Sequence, residues 1–176
     1  MDKEEIIEAL KAVGVELLKQ GITGEVLVVG GAAMCLVHDA RDTTKDVDAL
    51  YEPKAEIAKA IETVAEQRGL SRDWLNDSVK GFMFTNPDRI PFTDLPGLKV
   101  TTVQSEYLFA MKLLSARTSL YETDRQDIKT LISILDIKSF EQAVAILDKF
   151  VPADRILPRT QYLLVEILQE LSPNKL

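Results

Sequence analysis

Residues 26–50 (VLVVGGAAMCLVHDARDTTKDVDAL) limit the possible folds more than any other stretch of the chain. An apolar, β-branched run over residues 26–29 reads as a buried strand and stops at Gly30 and Gly31. A helix-like run follows, placed over residues 31–38, then a polar loop over 41–45 and a second strand over 46–51. Asp46 and Asp48 flank one apolar residue, so the strand period of two puts both carboxylates on one face. Paired glycines let backbone approach a ligand closely. A helix start offers N–H groups to phosphate, and carboxylate oxygens suit a hard divalent ion such as Mg²⁺. Taken singly, the glycines read as a tight turn and the aspartates as a solvated strand end. Their order and separation point to a shared phosphate and metal site.

At 176 residues the chain suffices for one domain with a sizeable core, or a domain with a helical appendage. A net charge of −7 speaks against broad non-specific nucleic-acid binding, which needs a basic face, but leaves room for a local basic pocket. Cys35 is the single cysteine, so no internal disulfide forms. With an acidic, amphipathic start in place of a signal-peptide pattern, the expected location is cytoplasmic. No apolar run is long enough to span a bilayer.

Before the glycine pair, residues 2–20 read as a helix. Asp2 and Glu5 have capping-box spacing, Ile6, Leu10, Val13 and Leu17 form a stripe, and Gly21 follows the end. After the aspartates, Pro53 suits a helix start and Gly69 its end. Residues 71–87 are less regular: Trp74 and Leu75 suggest a short helix, and 82–84 a loop or short strand. Strands are expected over 89–92 and 98–103, with Asp94, Pro96 and Gly97 in the turn between them. The rest reads as helices, starting at Gln104 or Ser105, near Thr123, after Ser139 and at Gln161. The fold class is therefore α+β, mixed in the first two-thirds and helical in the last.

Four further sets of residues carry possible chemistry. Lys112 lies in YLFAMKLL, a helix with almost no polar face, so its ammonium needs an anion: a carboxylate of the chain or a ligand phosphate. The alternative is a lysine snorkelling at the core's edge. Asp124 and Asp127 align with the buried stripe of Ile128 and Leu131, facing Lys112 or Arg117, although acidic residues also favour any first helical turn. Arg125 reads as a solvated residue. Arg41 and Lys45 flank the aspartates, where they either meet a triphosphate or neutralise the strand end. His38 suits a helix C-terminal role and Cys35 a packing role, and one histidine with one cysteine speaks against a zinc site.

The apolar strand, Gly30-Gly31 and Asp46-Val47-Asp48 resemble the signature of the nucleotidyltransferase superfamily, whose fold includes the DNA polymerase β palm. Arg41-x-x-Thr44-Lys45-Asp46-Val47-Asp48, Ala110-Met111-Lys112-Leu113 and Asp124-Arg125-x-Asp127-Ile128 resemble a narrower bacterial and archaeal branch. That branch includes the nucleotidyltransferase-like toxins of type IV toxin–antitoxin (abortive infection) systems. The resemblance, over roughly residues 22–135, implies a mixed sheet flanked by helices; the expected division is a nucleotidyltransferase-like domain over 1–135 and a helical extension over 136–176 packed on it. It also implies transfer of a nucleotide from an NTP to a hydroxyl of RNA (tRNA among the candidates) or protein, with Mg²⁺ (or Mn²⁺) as cofactor. Residue by residue, Gly30 and Gly31 bind phosphate, Asp46 and Asp48 ligate the metal, and Lys45 and Lys112 contact the triphosphate. Asp127 is a base or orienting group, with Asp124 as the second choice. An antitoxin or a second copy of the chain is the expected protein partner, with Leu164, Ile167, Leu168 and Leu171 as a contact stripe if they are not core. Active members of the superfamily often carry a third carboxylate on a later strand, and residues 98–103 offer none. The competing expectation is thus a nucleotide- or partner-binding module without catalysis.

Overall fold

The apolar run over residues 26–29 is buried throughout, and the strand that carries most of it, β1 (Gly24–Val28), has a partner on each side. In this computed structural model, which describes residues 1–38, 40–83, 85–116 and 122–171, β1 pairs antiparallel with β2 (Val47–Glu52) and parallel with the strand Leu98–Val103. The remaining strands are β3 (Leu75–Asn76), parallel to β2, and β4 (Arg89–Leu95), antiparallel to Leu98–Val103, which is β5. The five-stranded order is β3-β2-β1-β5-β4, so the continuously apolar strand is the central one.

The chain divides into two compact units, residues 1–81 with 88–103, and residues 82–87 with 104–176. The first holds the sheet with α1 (Lys3–Leu18), α2 (Gly30–Leu36) and α3 (Lys54–Arg68). α1 starts with a capping box: Asp2 accepts from the Glu5 amide at 2.8 Å and Glu5 accepts from the Asp2 amide at 2.9 Å. Its buried stripe, Ile6, Leu10, Val13 and Leu17, lies on the expected face, and α1 packs against α3 and β5. α3 ends at Gly69, whose φ of 66° supplies the left-handed cap.

α1 docks through a glycine. A Cβ at Gly14 would lie 2.1 Å from the Pro96 carbonyl oxygen, in the turn between β4 and β5. Neither atom belongs to a side chain that can swing away. Gly14→Ala is therefore expected to cost about 2–3 kcal/mol in urea unfolding, the upper part of the overpacking range. A loss below about 0.5 kcal/mol, ordinary for a surface change, would show that α1 is not docked this closely.

Three local expectations change. Leu75 and Asn76 are strand, not helix, because they pair with Val47 and Asp48; a 3₁₀ turn (Ser78–Phe82) follows, and Phe84 lies outside the described residues. Asp94 belongs to β4, where it pairs with Lys99, and the turn narrows to Pro96 and Gly97. The last helix begins at Pro158 rather than Gln161, because proline is favoured in a first helical turn.

The second unit is built on α4 (Ser105–Ser115), with α5 (Glu122–Ile134), α6 (Phe140–Phe150) and α7 (Pro158–Leu171) around it. Apolar nearly all round, α4 buries Tyr107, Leu108, Phe109, Ala110, Met111 and Leu113. Ser139 caps α6 by accepting from the Gln142 amide at 3.2 Å, as its spacing predicts. Strands in the first part of the chain and helices in the last make the α+β class expected. Among the described residues no helix is long and apolar enough to cross a membrane.

Candidate functional site

The glycine pair and the two aspartates meet at one end of the sheet. β1 runs through buried Val29 into Gly30, and β2 returns beside it, so the Val29 amide donates to the Asp48 carbonyl at 2.9 Å. Gly30 has a φ of 62°, a conformation that side chains other than glycine's rarely adopt. The space a Cβ would fill there is taken: it would lie 2.7 Å from Asp48 Oδ2. The Asp48 carboxylate thus lies directly against the glycine turn. Gly31 is tight for a different reason. A Cβ on it would meet Arg41 Nη1 at 2.6 Å and Thr44 Oγ1 at 2.7 Å.

β2 begins at Val47, one residue later than the sequence suggests, but the burial alternation carries back through Asp46. Val47 and Ala49 are buried while Asp46 and Asp48 are half-buried, which is the period-two pattern expected of two carboxylates on one face. Lys45 is exposed. α2 has seven residues and is short for a helix dipole, so close backbone approach at the glycines is the stronger feature of the turn.

The donor set suits Mg²⁺, which is commonly held by one or two carboxylates together with phosphate oxygens and water. Among the described residues there is no group of three or more His, Cys, Asp or Glu placed to hold a metal ion. β5 carries no carboxylate. Its Thr101 and Thr102 hydroxyls donate to the Val26 and Val28 carbonyls, at 3.3 and 3.2 Å. Asp94 pairs with Lys99, while Thr102 pairs with Val28 beside the glycine turn. Three residues of strand separate the two levels, about 10 Å at 3.3 Å per residue.

Cavities border the described residues of this unit at both ends of the sheet. One of about 460 Å³ is lined by Cys35, Arg41, Asp42 and residues 2–4, next to the glycine turn. A larger one of about 620 Å³ is lined by Gly24, Glu52, Asp94, Lys99 and neighbours, at the opposite end of the sheet from Asp48. His38 follows α2, and burial pushes its imidazole below the usual range. Cys35 is buried.

Lys112, Asp124 and Asp127 belong to the second unit. Lys112 has its anion within the chain: Nζ is 2.7 Å from Asp127 Oδ2 and 3.5 Å from Asp124 Oδ1. Both aspartates face inward toward Lys112, one of the two cations expected; the other, Arg117, lies outside the described residues. Lys112 is 7% exposed and Asp127 1%. Arg125, expected to be solvated, is instead an interhelical clamp. Its Nη1 is 3.2 Å from Glu166 of α7, and its Nη2 pairs with Glu170. Those two carboxylates hold the Arg125 guanidinium above its usual pKa.

Thr44 belongs to the stretch from Arg41 to Asp48, and its residue type alone assigns it no role. Its side chain donates to the Asp46 carbonyl at 3.1 Å, from two positions upstream. That spacing, common for Ser and Thr at turns, was the available signal.

No curated protein and no solved structure matches the chain. A family match covers residues 5–154, wider than the span of roughly 22–135 over which the motifs are distributed. By that match the chain belongs to the family described as nucleotidyltransferase of unknown function (DUF6036).

Proposed function

We propose that the chain transfers a nucleotide from an NTP to a hydroxyl of RNA, tRNA among the candidates, or of protein, with Mg²⁺ (or Mn²⁺) held by Asp46 and Asp48. One observation carries the reading: the Asp48 carboxylate lies against the Gly30 turn, so a metal ligand and a backbone suited to phosphate are adjacent. The bound cation would neutralise triphosphate charge and polarise the attacked phosphoryl group. Gly30 and Gly31 admit the phosphates close to the backbone. Lys45 adds positive charge to the polyphosphate, and we assign Lys112 a triphosphate contact, with Asp127 orienting it. In the reaction the acceptor oxygen bonds to the α-phosphorus, the bond from that phosphorus to the β-phosphate oxygen breaks, and pyrophosphate leaves. The hydroxyl proton passes to solvent or to a carboxylate.

The motif likeness to the toxin-like branch supports a growth-inhibiting activity, with an antitoxin or a second copy of the chain as protein partner. A binding-only reading is favoured by β5, where Thr101 and Thr102 stand in a strand that often bears a third carboxylate. The test is incubation of purified protein with each of the four α-labelled NTPs, Mg²⁺ and total cellular RNA and protein. Label transfer that stops with EDTA is expected. Binding of a Mg-NTP in calorimetry without transfer would replace the proposal with the binding-only reading, and no binding at all would sink both.

A further inference from the structure

The two candidate metal ligands are separated by a single peptide unit on each side of Val47, so whatever orients the peptide between Asp46 and Val47 sets where Asp46 stands relative to Asp48. That unit is held at both ends. Its carbonyl, on Asp46, accepts from Thr44 Oγ1 at 3.1 Å. Its N–H, on Val47, donates to the Trp74 carbonyl at 2.7 Å. Trp74 is itself fixed: it is buried, and its Nε1 donates to the Ile61 carbonyl at 3.4 Å.

Thr44 is held as well. It is buried, and its amide donates to the Met1 carbonyl at 2.8 Å while its carbonyl accepts from the Met1 nitrogen. The same hydroxyl fills the space against Gly31, 2.7 Å from where a Cβ would lie. One oxygen therefore touches both halves of the candidate site, the glycine turn and the aspartate strand. A buried polar threonine in a loop of otherwise exposed and half-buried residues needs such a reason, because an apolar residue of the same shape would fill the space without needing a hydrogen bond.

We propose that Thr44 is a positioning residue: its hydroxyl, braced between Gly31 and the Asp46 carbonyl, holds the Asp46–Val47 peptide so that Asp46 and Asp48 keep a fixed spacing beside the glycine turn. Catalytic consequences rest on the nucleotidyl-transfer reading; the positioning itself does not. Misplacing a metal ligand by about 1 Å is enough to lower a rate on the order of a hundredfold.

The experiment uses the whole chain and the variants Thr44→Val, which keeps the shape and removes the hydroxyl, and Thr44→Ser, which keeps the hydroxyl. Hydrogen exchange is measured over residues 44–50 without any ligand, and label transfer from Mg-NTP is measured in parallel. In Thr44→Val, exchange at the Val47 amide is expected to accelerate about tenfold or more while amides of β1 stay protected. Transfer is expected to fall about tenfold to a hundredfold in kcat, and Thr44→Ser to restore both. Unchanged exchange in Thr44→Val overturns the proposal. So does altered exchange with unaltered transfer, or a serine variant no better than valine. If the parent protein transfers no label, nucleotidyl transfer is what fails, and the exchange data alone decide the positioning role.

Discussion

On the proposed reading, Asp48→Asn is expected to lower label transfer at least about a thousandfold, roughly 4 kcal/mol of barrier at 1.36 kcal/mol per tenfold, while leaving the fold intact. The expectation follows from where the residue sits. Its backbone is part of the β1–β2 ladder, with its carbonyl accepting from the Val29 amide at 2.9 Å, and a side-chain change does not touch that bond. Asparagine has the same shape, so it still fits against Gly30, where Asp48 Oδ2 lies 2.7 Å from the position a Cβ would take. What is lost is the negative charge, and with it the hard anionic oxygen that a divalent cation needs. Asp46→Asn is expected to act the same way. Asp94→Asn is the control: an exposed residue opposite Lys99 in the β4–β5 register, at the other end of the sheet, it should leave transfer unchanged. Unfolding of Asp94→Asn by urea should coincide with that of the parent protein within about 0.5 kcal/mol, and the two half-buried variants should keep a cooperative transition. Full transfer by Asp48→Asn and Asp46→Asn would remove both residues from the site. An unfolded Asp48→Asn would make the carboxylate a structural group instead.

The features visible in the sequence were those whose cause is local. Val26 to Val29 are apolar in a row and three of the four are β-branched, which suits a strand covered on both faces, and β1 is the central strand. Lys112 in an apolar helix demanded an anion, and Asp127 supplies one. The aspartates alternate in burial as period two requires. What escaped depends on distant partners. β3 is two residues long, too short for any periodicity, and exists because Val47 and Asp48 offer it a ladder. Arg125 looked solvated because its carboxylate partners stand 41 and 45 residues later. The contact between Gly31 and Thr44 was invisible for a similar reason, since nothing in either residue type states that the loop folds back over the turn.

Asp127→Asn is expected to destabilise the second unit by about 3 kcal/mol, at the low end of the 3–5 kcal/mol that breaking a buried ion pair costs. Lys112, 7% exposed in the parent protein, loses the nearer of its two carboxylates in that variant, so a desolvated ammonium is left with less to offset it. Asp124, 3.5 Å from Nζ and 30% exposed, supplies part of the missing charge, which is why the loss should not reach the top of the range. Lys112→Met together with Asp127→Asn removes the stranded charge and keeps a long flexible side chain in the same space, so most of the stability should return. The cycle is read by urea unfolding, following the helical signal, and a double variant no more stable than Asp127→Asn alone would refute the ion pair as the reason for the loss. The double variant also decides what Lys112 is for. A lysine that contacts the triphosphate cannot be replaced by methionine, so transfer should fall by about two orders of magnitude, comparable to loss of one transition-state electrostatic contact, in a protein that still folds. Transfer at the parent rate would mean that the pair serves only to join α4 to α5. The catalytic assignment of Lys112 and Asp127 would then be withdrawn, while the site at Gly30, Asp46 and Asp48 would stand on its own geometry.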